Sequence, residues 1–139
     1  MLRGMANVSY WATDLKEARN WYTALFGIEP YFQKPNAENP VYIEYRVGDY
    51  RHEVGIIDQR YRPKPAQEGP AGAILYWHVE DVQIAMERLL SMGAQEYEPV
   101  TKRGEGFHTA SVVDPFGNVL GVMYNAHYLE ILALTKTHE

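Results

Sequence analysis

The chain has 139 residues, no cysteine and a formal net charge of −5 at pH 7. This length fits one compact domain with its own core, and the absence of cysteine excludes disulfides, thiolate metal ligands and a cysteine nucleophile. The acidic balance and the scattered basic residues argue against a nucleic-acid surface. Neither an apolar run of about 18 residues nor a charged-then-apolar leader is visible. We therefore expect a cytoplasmic protein with no membrane span.

The first half of the sequence predicts one strand, one helix and three further strands. Asp14 is a suitable N-cap for apolar residues that recur every three or four positions, and Gly27 ends this pattern. The predicted elements are a strand from Ala6 to Thr13, a helix from Asp14 to Phe26, and strands near Glu29 to Gln33, Val41 to Val47 and His52 to Asp58. Residues 59–72 are rich in proline and glycine, which is typical of a linker.

The second half repeats this order. Asp81 is its expected N-cap, and Gly93 follows the helical pattern. The predicted elements are a strand from Ala73 to Val79, a helix from Asp81 to Met92, and strands near Tyr97 to Thr101, Phe107 to Asp114 and Asn118 to Tyr124. A short helix from Ala126 to Leu134 is predicted within the tail, residues 125–139.

Two hairpins in the sequence resemble each other at a constant offset of 66 residues. When they are aligned, Val47 falls on Val113 and Gly55 falls on Gly121. The repeat predicts an α+β fold made of two βαβββ halves, residues 6–58 and 73–124, within a single domain of residues 1–139. Because neither four-stranded sheet can cover both of its own faces, we expect two curved sheets that pair around a cleft.

Strand alternation predicts which side chains face that cleft. Trp11, Tyr76, His78, Gly121 and Met123 are expected to face inward, and alternate residues such as Leu120 and Val122 are expected to face the helix. The inward aromatic rings could stack on a flat ligand or could simply fill the cavity. Alternation leaves both possibilities open.

The two βαβββ halves resemble the vicinal oxygen chelate superfamily. The likeness is carried by the segments DLKEARNWYTALFG, residues 14–27, and DPFGNVLGVMY, residues 114–124, and extends from Ala6 to about Tyr124. This superfamily includes glyoxalase I, extradiol dioxygenases, fosfomycin resistance enzymes and bleomycin resistance proteins. Its drug-sequestering members bind without a metal across a dimer, so the resemblance implies a homodimer.

Enzymes of this superfamily usually hold one divalent metal through histidine or glutamine early in each half and glutamate late. The corresponding positions here are Asn7 and Gly55 in the first half and Ile74 and Gly121 in the second. Glycine and isoleucine offer no side-chain donor, and an amide oxygen alone holds a transition metal poorly. We therefore predict neither a metal nor another cofactor.

The leading hypothesis is a protein that binds a small organic molecule in an aromatic-lined cleft. Its predicted contact residues are Asn7, Trp11, Gly55, Tyr76, His78, Gly121 and Met123. One alternative is a metal-dependent lyase or dioxygenase with a displaced site that involves His78, Glu53 and His108. Another is a metal-free isomerase with His78 or Glu53 as its base.

Overall fold

A computed structural model describes residues 1–63, 70 and 72–137. The chain divides into two compact units, Met1–Gln67 and Glu68–Glu139. Each unit contains a βαβββ succession and one four-stranded sheet, which confirms the predicted α+β class and its duplicated halves. Residues 64–69 and 71 of the predicted linker, and residues 138–139 of the tail, lie outside the described residues.

The first unit is a mixed sheet with one helix against it. Its elements are β1 (Asn7–Ala12), α1 (Leu15–Phe26), β2 (Phe32–Lys34), β3 (Tyr42–Val47), β4 (His52–Asp58) and a 3-10 turn (Gln59–Tyr61). The strand order is β1-β4-β3-β2, with β1 parallel to β4 and the remaining pairs antiparallel.

Helix α1 begins and ends where the sequence predicts. The Asp14 carboxylate accepts a hydrogen bond from the Glu17 amide at 3.1 Å, which satisfies one of the free N–H groups of the first turn. Gly27 lies in the left-handed region at φ 70°, where a side chain would be unfavourable. The helix buries Tyr22, whose ring stacks on Tyr10 of β1 at 5.6 Å between centroids.

The second unit repeats the arrangement and adds a helix. Its elements are β5 (Tyr76–His78), α2 (Val82–Ser91), β6 (Gln95–Gly104), β7 (Phe107–Val113), β8 (Val119–Asn125) and α3 (Ala126–Thr137). The strand order is β5-β8-β7-β6, with β5 parallel to β8. Within the described ranges, no helix is sufficiently long and apolar to cross a membrane.

The turn between β7 and β8 is built around Asp114. One carboxylate oxygen accepts hydrogen bonds from the amides of Phe116 and Asn118, at 2.9 and 2.8 Å. The other oxygen accepts one from the Asn118 side chain at 2.8 Å, and Gly117 takes a φ of 95°. By accepting these three hydrogen bonds from residues of its own turn, the buried Asp114 side chain fixes the hairpin.

Four predicted elements differ from the structure by more than one residue at an end, and strand pairing explains the three that are strands. Strand β2 is displaced from Glu29–Gln33 because its ladder partners in β3 begin at Tyr42. Only three residues of the predicted β5 pair with β8, whereas β6 extends beyond Tyr97–Thr101 through irregular pairing with β7. Helix α3 continues past Leu134 to Thr137.

Candidate functional site

Each sheet has one face toward its helix and one polar face on the other side. In β1 the buried residues Tyr10 and Ala12 alternate with Ser9 and Trp11. We call the residues on the side away from α1 the first polar face: Asn7, Ser9, Trp11, Phe32, Lys34, Tyr42, Glu44, Arg46, Glu53, Gly55 and Ile57. The corresponding second polar face includes Tyr76, His78, Glu98, Thr109, Ser111, Gly121 and Met123 together with the apolar Phe107, Val113 and Val119, and Arg103 lies at its rim.

Two glutamates on the first polar face share one arginine. Arg46 Nη2 lies 3.1 Å from Glu44 Oε2, and its Nη1 lies 3.2 Å from Glu53 Oε1. Asn7 Nδ2 donates to Glu53 Oε2 at 2.6 Å, and Ser9 Oγ donates to Asn7 Oδ1 at 2.8 Å. The amide of Asn7 and both oxygens of Glu53 are therefore already engaged within the sheet.

Tyr42 completes this network from β3. Its Oη donates to Glu44 Oε1 at 2.9 Å. Burial, the hydrogen bond to Glu44 and the charges of Glu44 and Glu53 raise the pKa of Tyr42 to about 12, and Arg46 opposes that rise. The hydroxyl thus remains a protonated hydrogen-bond donor throughout the neutral range.

A second carboxylate network lies on the second polar face. Glu98 Oε1 accepts hydrogen bonds from Tyr76 Oη at 2.7 Å and Ser111 Oγ at 2.8 Å. These two bonds, followed by the weaker effect of Arg103, lower the pKa of Glu98. Burial and the bond to Glu98 raise the pKa of Tyr76. Arg103 Nη2 lies 3.7 Å from Glu98, and its Nε donates to Thr109 Oγ1 at 3.0 Å.

The four positions where the resemblance predicts metal ligands do not fit a metal. A Cβ at Gly121 would lie 2.6 Å from Tyr76 Cδ1, and a Cβ at Gly55 would lie 3.0 Å from Tyr42 Cε2. Both glycines therefore lie directly beneath a tyrosine ring. Asn7 is hydrogen-bonded through both side-chain ends, and isoleucine at position 74 has no lone pair.

The displaced metal site receives no support from the arrangement of its residues. In the part of the chain that the structure describes, no group of three or more His, Asp or Glu side chains could hold a metal ion. His78 pairs with Met123 and His108 with Tyr124, which are successive residues of β8 and so belong to opposite faces.

His78 lies at the junction of β5 and α3. Its Nδ1 accepts a hydrogen bond from the Asn125 amide at 3.2 Å. Its ring stacks on Tyr128 of α3, with centroids 4.5 Å apart and planes 9° apart. Nε2 is buried and has no hydrogen-bond partner among the described residues. These contacts attach the start of α3 to the sheet.

The predicted contact residues fall into two groups, one on each unit. Asn7, Trp11 and Gly55 lie on the first polar face. Tyr76, Gly121 and Met123 lie on the second, and His78 ends that strand. Their role in ligand binding stays a prediction.

Sequence reasoning missed the side chains that carry most of the polar chemistry, which are Tyr42, Glu44, Arg46, Glu98 and Ser111. In β3 the signal was available, because YIEYRV alternates buried Ile43, Tyr45 and Val47 with polar neighbours. In β6 it was not available, because the ladder with β7 shifts register between Glu96 and Glu98 and again before Thr101. Alternation cannot predict a face across such irregularities.

Comparison with known protein families identifies the fold. Residues 4–122 match the model of the Glyoxalase/Bleomycin resistance protein/Dioxygenase superfamily. The chain belongs to this superfamily. A comparison with curated proteins finds no significant match.

Solved structures share the fold at low sequence identity. A glyoxalase-related enzyme from Fulvimarina pelagi is 21% identical, with a TM-score of 0.68 and 89% of each chain covered. TioX from Micromonospora sp. ML1 is 18% identical, with a TM-score of 0.64 and coverage of 88% of this chain and 98% of that one. The fosfomycin resistance protein FosX from Listeria monocytogenes, complexed with Mn(II) and sulfate, is 12% identical, with a TM-score of 0.68 and coverage of 91% and 93%.

Proposed function

We propose that this member of the superfamily binds a small organic molecule on the polar faces of its sheets, without a metal ion. The observation that carries the proposal is the pair of glycines, Gly55 and Gly121, each lying beneath a tyrosine ring. At the two positions where the resemblance implies a carboxylate ligand late in each half, this chain has a glycine that is covered by a tyrosine ring. The faces thus offer rings and hydroxyl groups in place of a Lewis acid.

The polar faces provide the kinds of group that organic ligands need. Tyr42 and Tyr76 each combine an aromatic ring with a hydroxyl that is held by a carboxylate, which fixes the position of the ring. Such a preorganised side chain loses little conformational entropy when a ligand stacks on it. The hydrogen bonds within each sheet therefore prepare the faces for binding.

The same bonds make acid–base catalysis by Glu53 a weaker candidate function. A general base must take up a proton in the reaction, and the negative charge of a carboxylate that is paired with a guanidinium is less available for this than that of an unpaired one. One oxygen of Glu53 accepts from Asn7, and the other lies against Arg46. Binding of a ligand requires no proton transfer to or from this network. The homodimer and the cytoplasmic location stay predictions.

An NMR fragment titration tests the proposal. We would add small aromatic compounds to ¹⁵N-labelled protein and follow amide shifts, expecting the largest changes in β1, β3, β4, β5 and β8. Ser111→Ala, which removes a hydrogen bond on the second polar face, should weaken fragments that shift this face. Ser91→Ala, which removes a hydrogen bond from the exposed end of α2, is the matched control. Shifts confined to surfaces outside the two polar faces would contradict the proposal.

A further inference from the structure

The first polar face already holds an organic cation of its own. The guanidinium of Arg46 lies between Glu44 and Glu53, with an ion pair to each. Two carboxylates and one guanidinium leave this cluster with one uncompensated negative charge. Lys34, the other basic residue on the face, is exposed and is opposite Tyr42 in the ladder. Among the described residues, Lys34 makes no ion pair.

The hydrogen bonds in the cluster point toward the carboxylates. The hydroxyl of Tyr42 donates to Glu44, and the amide of Asn7 donates to Glu53. Each carboxylate has about four acceptor sites, and each of these two uses only two of them. The capacity that remains for a ligand therefore consists mainly of acceptors, which favour a ligand rich in N–H donors.

Partial burial of the two carboxylates increases the effect of this charge. The side chains of Glu44 and Glu53 are 13% and 26% exposed. Charges in such positions are less screened by water and salt than exposed pairs are. The negative environment is also visible in Tyr42, because Glu44 and Glu53 both contribute to the raised pKa of its hydroxyl. A cation placed here would be attracted by both carboxylates.

An aromatic ring beside the cluster complements a cation as well. The Tyr31 ring lies 5.1 Å from the Arg46 guanidinium carbon, and this tyrosine is 66% exposed. The face of a phenol ring attracts cations through its quadrupole. A flat cationic group could therefore stack near Tyr31 while it donates to the carboxylates.

We propose that the first polar face binds an organic cation, with the ammonium or amidinium group of the ligand held by Glu44 and Glu53. This proposal rests on the proposed function and specifies its ligand class. Arg46 shows the kind of group that the two carboxylates hold. Planar amidinium groups suit them because two parallel N–H donors can meet one carboxylate.

Three aromatic probes of nearly equal shape distinguish recognition of a positive charge from binding of the aromatic ring alone. Benzamidine is a cation, benzamide is neutral and benzoate is an anion, so calorimetric and NMR titrations with all three compare charge at constant size. Benzamidine should bind with shifts in β3 and β4, and its affinity should fall as salt is added. Benzamide and benzoate should bind the first polar face at least about tenfold more weakly, the factor expected for one charge-assisted hydrogen bond.

Two variants test the assignment in opposite directions. Glu53→Gln preserves an acceptor for Asn7 but removes a charge, and should weaken benzamidine about tenfold. Arg46→Ala removes the internal competitor and should strengthen it. Glu17→Gln makes the same charge change on the exposed surface of α1 and should leave the affinity unchanged. Circular dichroism and thermal unfolding would establish that each variant folds.

The outcomes distinguish the two proposals. If benzamide or benzoate binds the first polar face as tightly as benzamidine, or if Glu53→Gln leaves benzamidine affinity unchanged, the cation assignment is wrong but a ligand-binding face remains. If none of the three probes, nor any compound of the fragment titration, shifts either polar face, the proposed function itself fails.

Discussion

A single methyl group added at Gly121 tests the packing that closes the expected metal position. A Cβ there would lie 2.6 Å from Tyr76 Cδ1 and 2.9 Å from the Leu75 carbonyl oxygen. The tyrosine ring could turn aside, but the carbonyl belongs to the backbone and accepts a hydrogen bond from the Gly121 amide at 2.9 Å. The strand must therefore shift if the methyl group is to fit.

The loss of unfolding free energy can be estimated by comparing alanine substitutions at Gly121 and Gly55. Overpacking of a tight interior typically costs about 1 to 3 kcal/mol, and we expect Gly121→Ala near the upper end because backbone must move. At Gly55 the close atoms belong only to the Tyr42 side chain, at 3.0 and 3.3 Å, so Gly55→Ala should cost about 1 kcal/mol. A methyl group at Gly104 would meet no atom within 4 Å, so this position provides the matched control.

Urea denaturation of the three alanine variants gives the comparison directly. The free energy of unfolding should fall most for Gly121→Ala and less for Gly55→Ala. For Gly104→Ala it should stay within about 0.5 kcal/mol of the value for the parent protein. Equal slopes of the unfolding free energy against urea would show that the variants share one folded state. If Gly121→Ala were as stable as Gly104→Ala, neither the Tyr76 ring nor the Leu75 carbonyl would close this position, and the argument against a metal would lose its basis.

Three other perturbations probe the networks. The pKa of Tyr42 rises from 10.0 to about 12 on folding. The unfolding free energy should therefore decrease between about pH 10 and pH 12, because in this range Tyr42 ionises in the unfolded chain but not in the folded one. Glu44→Gln should lower this pKa, as followed by ¹³C-tyrosine NMR, and make the decrease smaller. Ser111→Ala should raise the pKa of Glu98 and destabilise the fold by about 1 to 2 kcal/mol, so carboxylate NMR titration and urea unfolding would detect it; no change in either would contradict the network. His78→Ala should speed hydrogen exchange at the start of α3 while the other sheet amides stay protected, and unchanged exchange in α3 would show that His78 does not attach it.

Local signals in the sequence were sufficient for the helices and the repeat. Asp14 and Asp81 cap α1 and α2 as predicted, because an N-cap depends on residues only three positions apart. The turn at Asp114 was predicted for the same reason, because its hydrogen bonds join residues at most four positions apart. Strand ends depended on partners distant in sequence, and β2, β5 and β6 therefore differed from their predicted bounds.

The candidate site was predicted less completely than the fold. Alternation correctly placed Trp11 and Tyr76 on the sides away from the helices. It could not show that a tyrosine ring would lie over each glycine, because the ring over Gly55 comes from the adjacent strand β3. Nor could spacing along the chain show that Glu44 and Glu53 share Arg46, since this contact depends on the register between β3 and β4.

Elemental analysis of the protein tests the central claim most directly. The protein would be purified without chelators and analysed for transition metals by mass spectrometry, then again after incubation with Mn(II) or Zn(II) and removal of free ions. The closed positions at Gly55 and Gly121 predict far less than one metal atom per chain in both samples. One tightly held metal atom per chain, lost on substitution of Glu53 or His78, would contradict the account.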